Sequence, residues 1–103
     1  MMNYETATDF EINQSVAWAL GCHTLPVIDG DIDVFIVPLD EPQIFDPCNS
    51  WADAGPIIVE NRISIIAHRG SFSAYNFGQT ILYKSDKPLR CAMIVFLKMK
   101  EAE

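Results

Sequence analysis

The chain has 103 residues, half of them hydrophobic and a fifth charged, with a formal charge of −7. That composition suits one globular domain, 1–103, whose core needs neither a disulfide nor a metal. A bilayer-spanning helix is excluded, because the longest apolar run, Cys91–Leu97, falls far short of the ~20 residues it would take; Glu5, Asp9 and Glu11 stand where a secretory leader would be basic and then apolar, so a soluble intracellular protein is expected.

The first element is a helix over residues 9–20. Thr8-Asp-Phe-Glu11 has the form of a capping box, in which the Thr8 hydroxyl accepts from the third helical amide and Glu11 reaches back to the Thr8 amide. Ile12, Val16 and Ala19/Leu20 follow at helical spacing, and Gly21 is placed to end the helix in the left-handed conformation. Pro26 and Asp29-Gly30 break the pattern. Asp31 to Val37 then alternates, with Ile32, Val34 and Ile36 on one face, and predicts a strand that Pro38 ends. Residues 38–50, with Pro38, Pro42 and Pro47, read as an irregular loop.

Ser50 or Asn49 caps a short helical turn through Asp53, and Gly55-Pro56 restarts the chain into a further short helix reaching about Glu60, although Ile57-Ile58-Val59 suits a strand equally. Arg62–Ala67 alternates and predicts a second strand. Gly70–Gly78 reads as a Ser- and aromatic-rich turn, and Gln79–Tyr83 as a third strand. Ser85-Asp86-Lys87-Pro88 supplies a Ser or Asp cap and a first-turn proline for a last helix, Leu89–Met99. That helix is apolar nearly all round, so it needs cover on two sides, and a partner subunit could supply one of them as a homodimer. The order predicts an α+β fold: a small, mainly antiparallel sheet of about three strands packed by an N-terminal and a C-terminal helix, with a short middle helix.

Charge is unevenly divided. Residues 1–61 hold eleven acids and no Lys or Arg, whereas residues 62–103 hold seven bases and three acids. Such asymmetry suits either an acidic face for a basic partner or two halves that complement each other within the fold. Direct nucleic-acid binding is not expected, because the bases are few and scattered.

Metal and catalytic signatures are weak. Cys22, Cys48 and Cys91 include no CxxC pair, and Cys22-His23 with His68 gives no second closely spaced ligand pair for zinc, so buried thiols are expected. In an EF-hand register from Asp29, Asp31 and Asp33 fall on ligand positions, but Val34 replaces the required Gly and Asp40 the final Glu. No motif assembles Cys48 or Ser50 with His23 or His68, and no phosphate-binding Gly-rich loop is present. No enzyme activity, cofactor, catalytic residue or metal is therefore expected.

The densest polar and aromatic segment is Phe45–Pro56. Trp51 offers a large ring with one N–H donor, while Asp46, Asn49 and Asp53 suit turn and cap hydrogen bonds. This segment is read either as a loop that anchors a partner or as a core plug with capped backbone.

At this point the sequence resembles a known family. Asp46-Pro-Cys-Asn-Ser-Trp-Ala-Asp-Ala-Gly-Pro-Ile-Ile-Val-Glu-Asn-Arg-Ile-Ser-Ile65, Asp9–Gly21 and the proline-led block Lys87–Leu97 are together similar to the NinX-like family of small bacteriophage proteins. The blocks cover about half the chain in the family's order, and the pattern is departed from between Cys22 and Ile44. The resemblance implies a tailed phage or prophage of enteric bacteria, the host cytoplasm, and an accessory role near early genes; it implies no mechanism. Its matching positions include Asn49, Trp51, Asp53, Glu60 and Arg90, with Gly55 and Pro56 shaping backbone and Arg90 pairing with Glu60 or another acid.

Binding candidates are thus Asp46, Asn49, Trp51, Asp53, Glu60, Arg62 and Arg90. The leading expectation is a non-enzymatic accessory protein that binds a host or phage protein through its acidic surface and the Asn49–Asp53 loop. The alternative is a binder of a nucleotide-like ligand, with Trp51 stacking and Arg62 or Arg90 meeting phosphate; a carboxylate mimic of DNA comes third.

Overall fold

A computed structural model describes residues 2–25, 33–36 and 42–103. The turn at Asp29-Gly30, most of the EF-hand register and the outer residues of the first predicted strand lie outside those residues.

Helix α1 (Asp9–Ala19) starts as its capping box dictates. The Glu11 amide donates to Thr8 Oγ1 and the Thr8 amide to Glu11 Oε1, both at 3.1 Å. It ends in a Schellman motif: Gly21 takes φ +79°, its amide donates to the Trp18 carbonyl at 3.0 Å, and the Cys22 amide donates to Ala17 at 2.9 Å. Ile12, Val16 and Ala17 are fully buried.

Strand β1 (Val34–Ile36) pairs antiparallel with β2 (Gln43–Phe45). Val34 faces Phe45, both buried, and Phe35 faces Ile44, both exposed. The loop expected over 38–50 therefore contains a strand. Three residues long and set between Pro42 and Pro47, β2 is too short to show a period of its own.

Helix α2 (Trp51–Glu60) runs unbroken through Gly55-Pro56, where two separate turns were expected. Ser50 is the cap: its side chain accepts from the Asp53 amide at 3.4 Å and its carbonyl from Ala54 at 2.9 Å. Pro56 lies only in the second turn, so the bond its missing N–H forfeits is that to the carbonyl of Ala52, an exposed residue that water can reach. Ala54 and Ile57 on the opposite side bury against the core and hold the turns together.

Strands β3 (Ser64–His68), β4 (Ser71–Tyr75) and β5 (Leu82–Ser85) form an antiparallel sheet in that order. The segment 70–78 is thus mostly strand, joined to β3 by the two-residue turn Arg69-Gly70, where Gly70 has φ +82°. The expected strand 79–83 is displaced to 82–85. Asn76 is the reason: its side-chain oxygen accepts from the amides of Thr80 at 2.9 Å and Ile81 at 3.0 Å, and its amide nitrogen donates to Thr80 Oγ1 at 2.9 Å, locking 76–81 as a turn. Ile65, Ala74 and Tyr83 align across the sheet on the face that meets the core.

Helix α3 (Pro88–Glu101) is the centre of the molecule. Its N-cap is Lys87 with no side-chain cap bond, so neither Ser85 nor Asp86 caps it directly, and Pro88 holds the first helical position. The run Cys91–Leu97 is entirely buried. β4 and β5 pack on one side and α1 and α2 on another, so the side assigned to a partner subunit is filled by the chain's own helices. Among the described residues the apolar run of the Leu89–Met99 helix is thus covered within one chain, so its all-round apolar character does not by itself call for a homodimer. The architecture is α+β, as the sequence predicts, with a second two-stranded sheet added.

Candidate functional site

Four of the seven candidates, Asp46, Asn49, Asp53 and Arg90, belong to one hydrogen-bonded network that ties α1, the turn before α2 and the start of α3. The loop first folds on itself. The Asn49 and Ser50 amides donate to the Asp46 carbonyl at 3.1 and 2.8 Å, and the Asp46 amide donates to Asp53 Oδ2 at 2.9 Å. Buried Asn13 of α1 then clamps it: its Nδ2 donates to Asp46 Oδ1 at 2.7 Å, and its Oδ1 accepts from the Cys48 amide at 3.0 Å. Asn49 Nδ2 bridges Asp46 Oδ1 at 3.0 Å and Asp9 Oδ2 at 3.2 Å.

Arg90 closes the network from α3. Its guanidinium donates to Asp9 Oδ1 at 2.7 Å, to the Tyr4 carbonyl at 3.1 Å and to the Ala7 carbonyl. The acid it meets is Asp9 and not Glu60. Lys87 Nζ adds a longer contact to Asp9 Oδ2 at 3.4 Å. Partial burial pushes the Asp9 carboxyl up, but the hydrogen bonds from Arg90 and Asn49 and the charge of Lys87 outweigh it and hold its pKa below the ordinary 3.8. The Cys48 thiol in the same loop is pushed up to about 12, chiefly by burial and further by the Asp9 carboxylate, so at neutral pH it is a thiol and not a nucleophilic thiolate.

The remaining candidates lie apart. Trp51 opens α2 beside this network, and 61% of its surface is exposed. Glu60 is exposed at the other end of α2, about 13 Å of helix away. Arg62 follows it and lies over the Phe77 ring, 5.7 Å from the centroid. The combination a phosphate ligand needs, Trp51 beside Arg62 or Arg90, is therefore not assembled: Arg62 is distant and Arg90 is spent on internal acceptors.

Asp9, Asn13 and Lys87 are the members that the sequence reading did not single out. Asn13 carried a signal, being a polar residue between Ile12 and Val16 on the buried stripe, one turn after Asp9. Lys87 carried none beyond its place before Pro88. Among the described residues no group of three His, Cys, Asp or Glu side chains is placed to hold a metal ion.

The family model described as Bacteriophage P22, NinX matches residues 3–100. The chain belongs to the NinX family. None of the curated proteins matches it. The NinX match spans all three sequence blocks and the divergent stretch between Cys22 and Ile44, and it places the chain among phage proteins. No described helix is long and apolar enough to cross a membrane.

Proposed function

We propose that this NinX-family chain is a non-enzymatic phage accessory protein that binds a protein of the host or of the phage in the host cytoplasm. Trp51 is the anchor and the acidic surface around it steers a basic partner. The observation that carries this reading is the exposed indole at the first position of α2, next to a loop whose polar side chains are committed to internal bonds. Asp46, Asn49 and Asp53 then act by positioning, and Trp51 acts by contact. A large aromatic held on a fixed backbone loses little entropy on docking, which is why Trp dominates the energetics of many interfaces.

Charge supports the same reading. Of the acids described in residues 1–61, Asp9 alone makes an ion pair among the described residues. Glu5, Glu11 and Glu60 are exposed, and these carboxylates turn their charge toward solvent. Their field raises the association rate with a cationic surface and weakens with salt.

The test is affinity capture from infected cells with wild-type protein and Trp51→Ala, the variant first shown to unfold at the wild-type midpoint. A partner retained by wild type and lost by the variant supports the reading. Identical capture profiles overturn it, as does a melting temperature raised by one member of a nucleotide panel, since ligand at a hundred times its dissociation constant adds ~2.7 kcal/mol.

A further inference from the structure

The far end of α2 carries a second feature. The helix ends in a Schellman motif like that of α1: the Arg62 amide donates to the Val59 carbonyl at 3.3 Å and the Ile63 amide to Ile58 at 3.0 Å. In α1 the left-handed position is filled by Gly21; here it is filled by Arg62, at φ +55°. An L-residue with a long side chain is strained in that region and glycine is not. The Arg62 guanidinium lies over Phe77, which projects 73% exposed from the turn that Asn76 locks. Val59, 78% exposed, completes an open groove of about 520 Å³ with Ile58 and Ile63.

Arg62 is the one charged residue lining this groove, and among the described residues it makes no ion pair and no side-chain hydrogen bond. The stretch 61–85 contains no Asp or Glu at all. A guanidinium stacked on a ring presents its N–H fork edge-on, the geometry that takes a carboxylate through two parallel hydrogen bonds. A polyanion is disfavoured, because one cation on a chain of charge −7 cannot offset several phosphates. The apolar walls instead suit an apolar side chain next to a single carboxylate.

We propose that this groove docks an acidic–apolar peptide segment of a partner protein, with the carboxylate on Arg62 and the apolar side chain against Val59 and Phe77. The site stands independently of Trp51. The test is an amide NMR titration with a capped pentapeptide of sequence Ala-Leu-Glu-Phe-Ala, against the same peptide with glutamine in place of the glutamate. Saturable shifts at Val59, Arg62 and Phe77 are expected, with at least fivefold weaker binding of the glutamine peptide. Arg62→Gly should remove that preference while leaving the unfolding midpoint undiminished, and Trp51→Ala should retain it. Absence of shifts at the groove overturns the proposal, as does equal binding of the two peptides. So does a preference that survives Arg62→Gly or vanishes in Trp51→Ala. Shifts of the same resonances produced by protein concentration alone assign the groove to a second copy, and shifts produced instead by a single-stranded oligonucleotide assign it to nucleic acid; either result also overturns it.

Discussion

Replacing Arg90 with Met should be among the most damaging changes outside the apolar core. The methionine keeps an apolar stem of similar reach in α3 but deletes the donors to Asp9, Tyr4 and Ala7. Arg90 is 14% exposed at its side chain, so water replaces those bonds poorly. Hydrogen bonds to a charged group contribute about 1.5–3 kcal/mol each, and breaking a largely buried pair by removing one partner costs about 3–5 kcal/mol. Lys87 and Asn49 still hold Asp9, which places the expected loss near the lower bound, about 3 kcal/mol. For a domain of this length that lowers the melting temperature by roughly 12–24 °C. Urea unfolding followed by far-UV circular dichroism gives the value directly. Arg90→Lys should fall between, restoring a charge near Asp9 without reaching both carbonyls. A loss under about 1 kcal/mol for Arg90→Met, at an unchanged denaturant slope, would refute the claim that this network fastens the two helices and the loop together.

Three further outcomes follow from the same geometry. Because the folded Asp9 pKa lies below 3.8, its ionised form contributes stability that is fully present above that value and is lost as pH falls through the lower folded value; the acid limb of a stability–pH curve should flatten in Asp9→Asn, and an unchanged limb would remove Asp9 as its source. Iodoacetamide at pH 8 should label half-buried Cys22 well before Cys48 and Cys91, both of which burial holds as protonated thiols, with the order read by mass spectrometry; equal rates would contradict the burial of the latter two. Arg62→Gly should raise stability by up to ~1 kcal/mol through relief of the left-handed strain, and a destabilised variant would mean that the Arg62–Phe77 contact outweighs it.

Where sequence signals and tertiary packing agreed, the fold was legible. The capping box at Thr8 and Glu11 and the glycine at position 21 bound α1 because both act through local hydrogen bonds. The all-round apolar character of Cys91–Leu97 announced a helix covered on two sides, but composition could not say that α1 and α2 would supply the cover. Gly55-Pro56 misled for a similar reason, since Ala54 and Ile57 gain enough from burial to carry the helix past a proline in its second turn. β4 was hidden because Ser71, Ser73 and Asn76 resemble a turn by type, although Phe72 and Ala74 alternate with the serines and point to a strand. At the candidate site, the loop's polar residues were visible as a cluster. Their partners Asp9 and Asn13 lie 33 or more positions away from them in the chain, a distance no local pattern spans.

Trp51 presented on a scaffold of internally bonded neighbours is the core of this account, and paired stability measurements on Trp51→Ala and Asp46→Ala test it most directly. The exposed indole should be removable at a cost within about 0.5 kcal/mol. Loss of the Asp46 carboxylate, which strands the buried Asn13 amide, should cost about 1–3 kcal/mol. The reverse order, a costly Trp51→Ala and a silent Asp46→Ala, would show that the indole is structural packing and the loop acids are free.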